Sequence, residues 1–442
     1  MNFVRPFYKK NLIPLALFII SIQAFSSDKT DKDWEKNLKT YKLSSLQQAY
    51  CYSDEQNNIY GKNINLKIRL ASVSKLFTTL WALETLGPKY KYETKLFIKG
   101  KNLHIKGSLD PFLGDEKIFF LISQLNDLGF NKFDTITFDK TIQINPDAEI
   151  HSDQYPVITR ATNARNLEIY FNTKNWSSAL KAKYDSVASQ DKTGRIRPSV
   201  QFEIEKAQYV EKNPFENDNE ARQLTLSSPE LQKYLKEINV KSNNYASHSI
   251  FLQLGGADKF KNFLADRYNK KSDLIYLYNG SGLPQFINGT RFDNYSTCAV
   301  TTELIGALKY SAEDQEIKLS DVVAVPGSDA GTFRNRTFPS DYKNSFMGKT
   351  GTLTNTSNLA GALSTQNGFS FYGIFNEAKD IEGAKKVQTE MIRSLMTDLG
   401  GPLAFNYVID PFNTYSDEDI KNFRYLEFNE QKEFKTYEEN LF

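Results

Sequence analysis

The sequence predicts an α/β (α+β) fold, a sheet flanked by helices that carries a smaller inserted α+β unit. Three observations point there. The chain has 442 residues with 40% hydrophobic and 13% aromatic content, enough to bury a substantial core and to form two or more structural units. Strand-like segments recur in two separated places, around 96–144 and 346–375. A helical pattern opens at Ser72, directly after a segment that reads as a hairpin.

Taken in order, Arg5, Lys9 and Lys10 precede an apolar run from Leu12 to Ala24 and the small, polar Ser26-Ser27-Asp28. Residues 1–27 therefore read as a secretory signal peptide, with an uncleaved anchor as the alternative. No other segment is apolar and long enough to span a bilayer. Residues 41–71 read as a hairpin broken at 53–58, and Leu76, Leu80 and Leu83 give the next helix, stopped by Gly87-Pro88. Leu96-Phe97-Ile98 and Leu103-His104-Ile105 form a second hairpin, 118–128 a helix, and Ile136, Phe138, Ile142 and Ile144 alternate as strands.

Residues 171–222 turn polar and read as loops. Helices follow over 229–238 and 245–254, the second ending at Gly255-Gly256, with Ser242 and Asn244 in the loop between them. Strands are expected around Lys349, over 358–363 and over 368–375, and a closing helix over 383–399. The expected division is a split main unit, 28–98 and 224–409, an inserted unit, 99–223, and an acidic, aromatic tail, 410–442.

Lysine plus arginine total 55 against 53 acids, a net charge of +2, which gives no argument for a nucleic-acid partner. Cys51 and Cys298 are the two cysteines; in an exported chain they form one disulfide or remain two buried thiols. His104, His151 and His248 are scattered without ligand spacing, so no metal site is expected.

Three short motifs carry the chemistry: Ser72-Val73-Ser74-Lys75, Ser242-Asn243-Asn244 and Lys349-Thr350-Gly351. Each is weak alone. S-x-x-K also starts at Ser26, Ser178, Ser189 and Ser340, and a second K-T-G lies at Lys192-Thr193-Gly194 in a polar run. Among the S-x-x-K copies, the Ser72 one is expected to open a helix, and Lys349 is expected on a strand. A lysine three residues after a serine on one helix face is a near neighbour and a candidate base, provided that burial and a nearby cation such as Lys349 keep it neutral. Free N–H groups at the helix start favour the negative charge of a tetrahedral intermediate. The plainer reading of Ser72, an N-cap, explains neither the lysine nor the two later motifs.

As a set, these motifs resemble the penicillin-recognising serine enzymes, and within them the class C low-molecular-mass penicillin-binding proteins, D-alanyl-D-alanine carboxypeptidases and endopeptidases. Further segments match: Gly107-Ser108-Leu109-Asp110-Pro111, Asn279-Gly280-Ser281-Gly282-Leu283, and 327–336 ahead of K-T-G. The resemblance covers roughly residues 40–400. It implies a β-lactamase/transpeptidase-like sheet, peptidoglycan stem peptides as substrate, β-lactams as covalent inhibitors, no cofactor, and a periplasmic location. Carried over by motif, Ser72 is the acylated nucleophile, Lys75 its base, Ser242 a proton relay and Asn244 a substrate donor. Lys349 and Thr350 bind the terminal carboxylate, Gly351 admits the substrate backbone, and the N–H groups of Ser72 and Thr352 form the oxyanion hole.

Three departures stand out. Asn279 replaces the usual aspartate, Ala330 is inserted in the Asp-Gly-Thr stretch, and the interval from Lys75 to Ser242 is shorter than in full-length relatives. A β-lactamase and a non-catalytic cell-wall binding protein are the alternatives. Glu168-Ile169-Tyr170-Phe171-Asn172 mimics a deacylating motif of one lactamase class, but it precedes Ser242 and its apolar residues suit a strand.

Overall fold

The computed structural model describes residues 24–192 and 194–415. Residues 1–23 of the expected signal segment 1–27 and residues 416–442 of the expected tail 410–442 lie outside them, while residues 24–27 begin the helix Ala24–Thr40. Among the described residues, no helix is long and apolar enough to cross a membrane.

The larger sheet has five antiparallel strands in the order Phe346–Leu353, Thr356–Thr365, Gly368–Glu377, Gln48–Ser53, Ile59–Lys62. Its central strands are buried on both sides because successive side chains serve different cores. Cys51, Ala360, Phe371 and Phe375 face the helices Ser74–Leu86 and Cys298–Asp314. Tyr50, Leu359, Tyr372 and Ile374 face the helices Ala24–Thr40 and Ile381–Asp398. This is the helix-flanked sheet expected from the sequence.

A second five-stranded sheet runs Glu203–Tyr209, Lys132–Phe138, Asn102–Lys106, Glu93–Lys99, Arg222–Ser227. Asn102–Lys106, Lys132–Phe138 and Glu203–Tyr209 are parallel, the other pairings antiparallel. It has its own core, built on Phe119, Phe120, Ile136 and Phe138. Positions 99 and 223, the expected edges of the insertion, both fall inside strands of this sheet.

Several local expectations are corrected. The polar stretch 171–222 is not all loop: it holds the helix Ser178–Gln190 and the strand Glu203–Tyr209. Leu180, Tyr184, Val187 and Ala188 give that helix a narrow apolar stripe on the second core, easily lost among its polar residues. Ser178 therefore also opens a helix, so this feature is not peculiar to Ser72. The lactamase-like segment is no strand either, since Glu168 to Tyr170 end the helix Arg160–Tyr170, capped by the Thr159 side chain. Ile142 and Ile144 are buried but lie in no strand. The Asn163 side chain holds their backbone instead, accepting from Ile144 N and donating to Ile142 O.

Cys51 and Cys298 form a disulfide, which decides between the two alternatives left by the sequence. It ties a central strand to the first residue of the helix Cys298–Asp314. After the closing helix, residues 402–415 run as a strap from the large sheet to the second unit. Leu403 N donates to Ser364 O, the Tyr407 hydroxyl meets Asp329, Phe412 packs on Phe112 and Tyr234, and Tyr415 stacks on Phe120.

Candidate active site

The three motifs converge at the edge of the large sheet. Ser72 lies in a single tight turn, Ala71–Val73, that leads into the helix Ser74–Leu86. Ala71 takes a left-handed conformation (φ 49°), unusual for a residue with a side chain and a sign that the surroundings fix this turn. Two glycines do so. A Cβ on Gly351 would stand 2.7 Å from Leu70 O, and one on Gly282 1.8 Å from Ala71 O, so the K-T-G strand and the 279–283 loop both press on the turn.

Lys75 is fully buried, and its Nζ lies 2.9 Å from Ser72 Oγ, 2.7 Å from Asn244 Oδ1 and 2.7 Å from the Ser281 carbonyl. Burial, and then the charge of Lys349, push its pKa well below the ordinary lysine value, while Asp153 works in the opposite direction. A neutral Lys75 gives its N–H bonds to the two carbonyl-type oxygens, which are acceptors only. Its lone pair is then left facing the Ser72 hydroxyl, the arrangement a general base requires.

Ser242 ends the helix Leu231–Lys241 in a left-handed conformation (φ 59°), which turns its hydroxyl toward Lys349. Lys349 Nζ donates to Ser242 Oγ and to the Thr350 carbonyl, both at 3.0 Å. Burial lowers its pKa to about 7. Asn243 caps the next helix, Asn244–Gln253, by accepting from Ala246 N. Asn244 is thus the first helical residue rather than part of the expected loop. Thr350 Oγ1 bonds to Thr332 Oγ1 at 2.9 Å, and Thr352 lies farther along the same strand. All eight residues singled out in the sequence belong to this one constellation. Ser72, Ser242, Asn244, Thr350 and Thr352 line a cavity of about 440 Å³.

Sequence reasoning missed a whole wall of the site. The irregular segment after Ile144 places His151 and Asp153 in the cavity. His151 Nδ1 lies 2.8 Å from the Ser242 carbonyl, Asn244 Nδ2 donates to Ser152 O, and Asn243 Nδ2 donates to Ala148 O. Without periodicity or a motif, nothing in the sequence announced it. Two of the departures noted above keep local contacts. Asn279 Oδ1 accepts from Ser281 N and Gly282 N, the acceptor work an aspartate would do. Asp329, before the extra alanine, pairs with Lys236 and accepts from Val325 N, which anchors the wall that carries Thr332.

Asp110, in the Gly-Ser-x-Asp-Pro segment, lies outside the cavity. It forms a buried ion pair with Lys117 at 2.5 Å and accepts from the Tyr234 hydroxyl at 3.0 Å, joining the inserted segment to the helix that ends at Ser242.

A family model, D-Ala-D-Ala carboxypeptidase 3 (S13), matches residues 44–166 and 209–397. No curated protein matches the chain by sequence. Among solved structures, the chain is similar to the Bd3459 predatory endopeptidase from Bdellovibrio bacteriovorus in complex with immunity protein Bd3460. That pair is 26% identical with a TM-score of 0.77, covering 84% of this chain and 98% of the other. The penicillin G acylated form of that endopeptidase gives 26% and 0.72, over 83% and 97%. Penicillin binding protein 4 from Haemophilus influenzae, 19% identical with a TM-score of 0.54 over 83% and 99%, shares the fold.

Proposed function

The chain belongs to the D-Ala-D-Ala carboxypeptidase 3 (S13) family, and from that premise we propose how its site cleaves peptidoglycan stem peptides. The protein is a serine-type D-Ala-D-Ala peptidase that works through an acyl-enzyme and is inhibited by penicillin. Ser72 Oγ attacks the carbonyl carbon of the penultimate D-alanine while its proton passes to Lys75 Nζ. The oxyanion is received by the N–H groups of Ser72 and Thr352, a pairing supported by the close approach of Gly351 to Ser72 N, 3.2 Å from where a Cβ would stand. Lys349 and Thr350 hold the terminal carboxylate, and Asn244 donates to the substrate amide.

As the C–N bond breaks, Ser242 hands a proton to the leaving amine, replenished from the Lys75 and Lys349 side. Water then attacks the ester, with Lys75 again accepting a proton, and releases the shortened peptide. Free D-alanine and the amine of a cross-linked neighbour are equivalent leaving groups in this scheme, so carboxypeptidase and endopeptidase action share one intermediate. The wall built by the irregular segment belongs to a unit spanning about 99–223, with strands reaching to Glu93 and Ser227. Residues 1–27 serve as the export signal, and the enzyme works in the periplasm, where its substrate lies.

The observation that carries this reading is the buried, three-way-bonded Lys75 at 2.9 Å from Ser72 Oγ. Intact-mass measurement after benzylpenicillin treatment tests it. One adduct is expected, absent in Ser72→Ala; an adduct that survives the substitution, or maps to Ser178, overturns the assignment.

A further inference from the structure

We propose that Tyr155 is a positioning residue for the reaction, reaching Lys75 through Ser281. The inference rests on the functional reading above and adds a residue from the inserted segment to it. Ser281 contributes two different groups. Its carbonyl accepts from Lys75 Nζ at 2.7 Å, and its hydroxyl lies 3.2 Å from Asn279 Oδ1 and accepts from Leu283 N at 3.1 Å. With the Ser281 proton on Asn279, the Tyr155 hydroxyl is left as the donor to Ser281 Oγ, and the pair is hydrogen-bonded.

The ring is held independently of that bond. It stacks on His248, centroids 4.2 Å apart and 21° between planes, and His248 lies on the helix that Asn244 opens. Tyr155 thus braces two supports of Lys75 at once: the 279–283 loop through its hydroxyl, and the Asn244 helix through its face. The groups that face Lys75 are Lys349 from the K-T-G strand and Asp153 from the same segment as Tyr155. With its hydroxyl removed, the 279–283 loop loses its only tether to that segment among the side-chain bonds described, and the Ser281 carbonyl is held less firmly on Lys75 Nζ.

Tyr155→Phe keeps the stack and deletes the bond. The second-order rate of acylation by a fluorescent penicillin is expected to fall about five- to tenfold, the scale of one buried hydrogen bond. The acid limb of its pH profile should move to lower pH, because the Ser281 carbonyl favours the charged form of Lys75 and is held less firmly. The thermal midpoint should drop by no more than about 2 °C. Ser281→Ala should act in the same direction, and the double variant should be no slower than the worse single one, because both break one link. Wild-type rate and an unmoved acid limb in Tyr155→Phe overturn the positioning role, as does strict additivity in the double variant. Should the wild-type protein itself take no adduct at Ser72, it is the functional reading that falls.

Discussion

Gly282→Ala tests how tightly the 279–283 loop defines the reactive turn. Gly282 sits at φ +87°, and a Cβ there would stand 1.8 Å from Ala71 O and 3.0 Å from Ser72 N. Side-chain carbons do not approach backbone oxygen closer than 3.0 Å, so the loop and the turn must separate by about 1.2 Å. Either Ser72 N leaves its proposed oxyanion position or Ser281 O leaves Lys75 Nζ. A displacement of about 1 Å at a reacting centre costs roughly 100-fold in rate, close to 2.7 kcal/mol in the barrier. The substitution also adds about 1 kcal/mol of backbone strain for a left-handed alanine. Gly289→Ala separates the two effects: Gly289 has φ +78° and open space around its Cβ position, so it carries strain without the clash. Stopped-flow acylation by a fluorescent penicillin should therefore show a loss near 100-fold for Gly282→Ala and almost none for Gly289→Ala. A Gly282→Ala rate within threefold of wild type would refute the reasoning.

Lys349→Met removes the cation beside Lys75, so the Lys75 pKa rises; because the base acts when neutral, the acid limb of the acylation profile should move to higher pH, and an unmoved limb counts against the coupling. Replacing Cys51 and Cys298 with alanine opens a loop of 247 residues, for which loop-closure entropy gives about 5 kcal/mol as an upper figure; denaturant titration should show a loss of roughly 3–5 kcal/mol. Asp110→Ala strands the buried Lys117 amine and should cost about 3–5 kcal/mol in the same assay, whereas Asp110→Leu with Lys117→Met should recover most of it, and equal losses in both would argue against an ion-pair origin.

The large sheet and the helix that follows Ser72 were legible because their signals are local: hairpin breaks, an i, i+4, i+7 leucine stripe, glycine stops and three motifs in a fixed order. The convergence of the eight candidate residues followed, since each sits in or beside a motif. What stayed hidden has a physical pattern. The helix Ser178–Gln190 rests on a second core through a narrow stripe, Leu180, Tyr184, Val187 and Ala188, too narrow for its polar composition to reveal. The strand Glu203–Tyr209, in the same polar stretch, alternates only weakly, with Ile204 its one buried residue. The segment that walls the site is held by side chains distant in sequence, Asn243 and Asn244, and such tethers leave no periodicity behind. Asn279 looked like a weakness because a residue identity had changed, yet the acceptor atom had not.

The disulfide makes a closed covalent ring of residues 51–298, and the ring encloses Ser72, Lys75, Ser242 and Asn244 while leaving the K-T-G strand outside. Protease damage is therefore unequal in its consequences. A cut in the exposed stretch around Ile150 or Val157 opens the ring but parts nothing, because both ends remain joined through Cys51 and Cys298. Such a nicked molecule runs as one band until thiols are added. A cut between Cys298 and Phe346 instead severs the K-T-G strand from Ser72, leaving only noncovalent contacts to hold the two halves of the proposed site together.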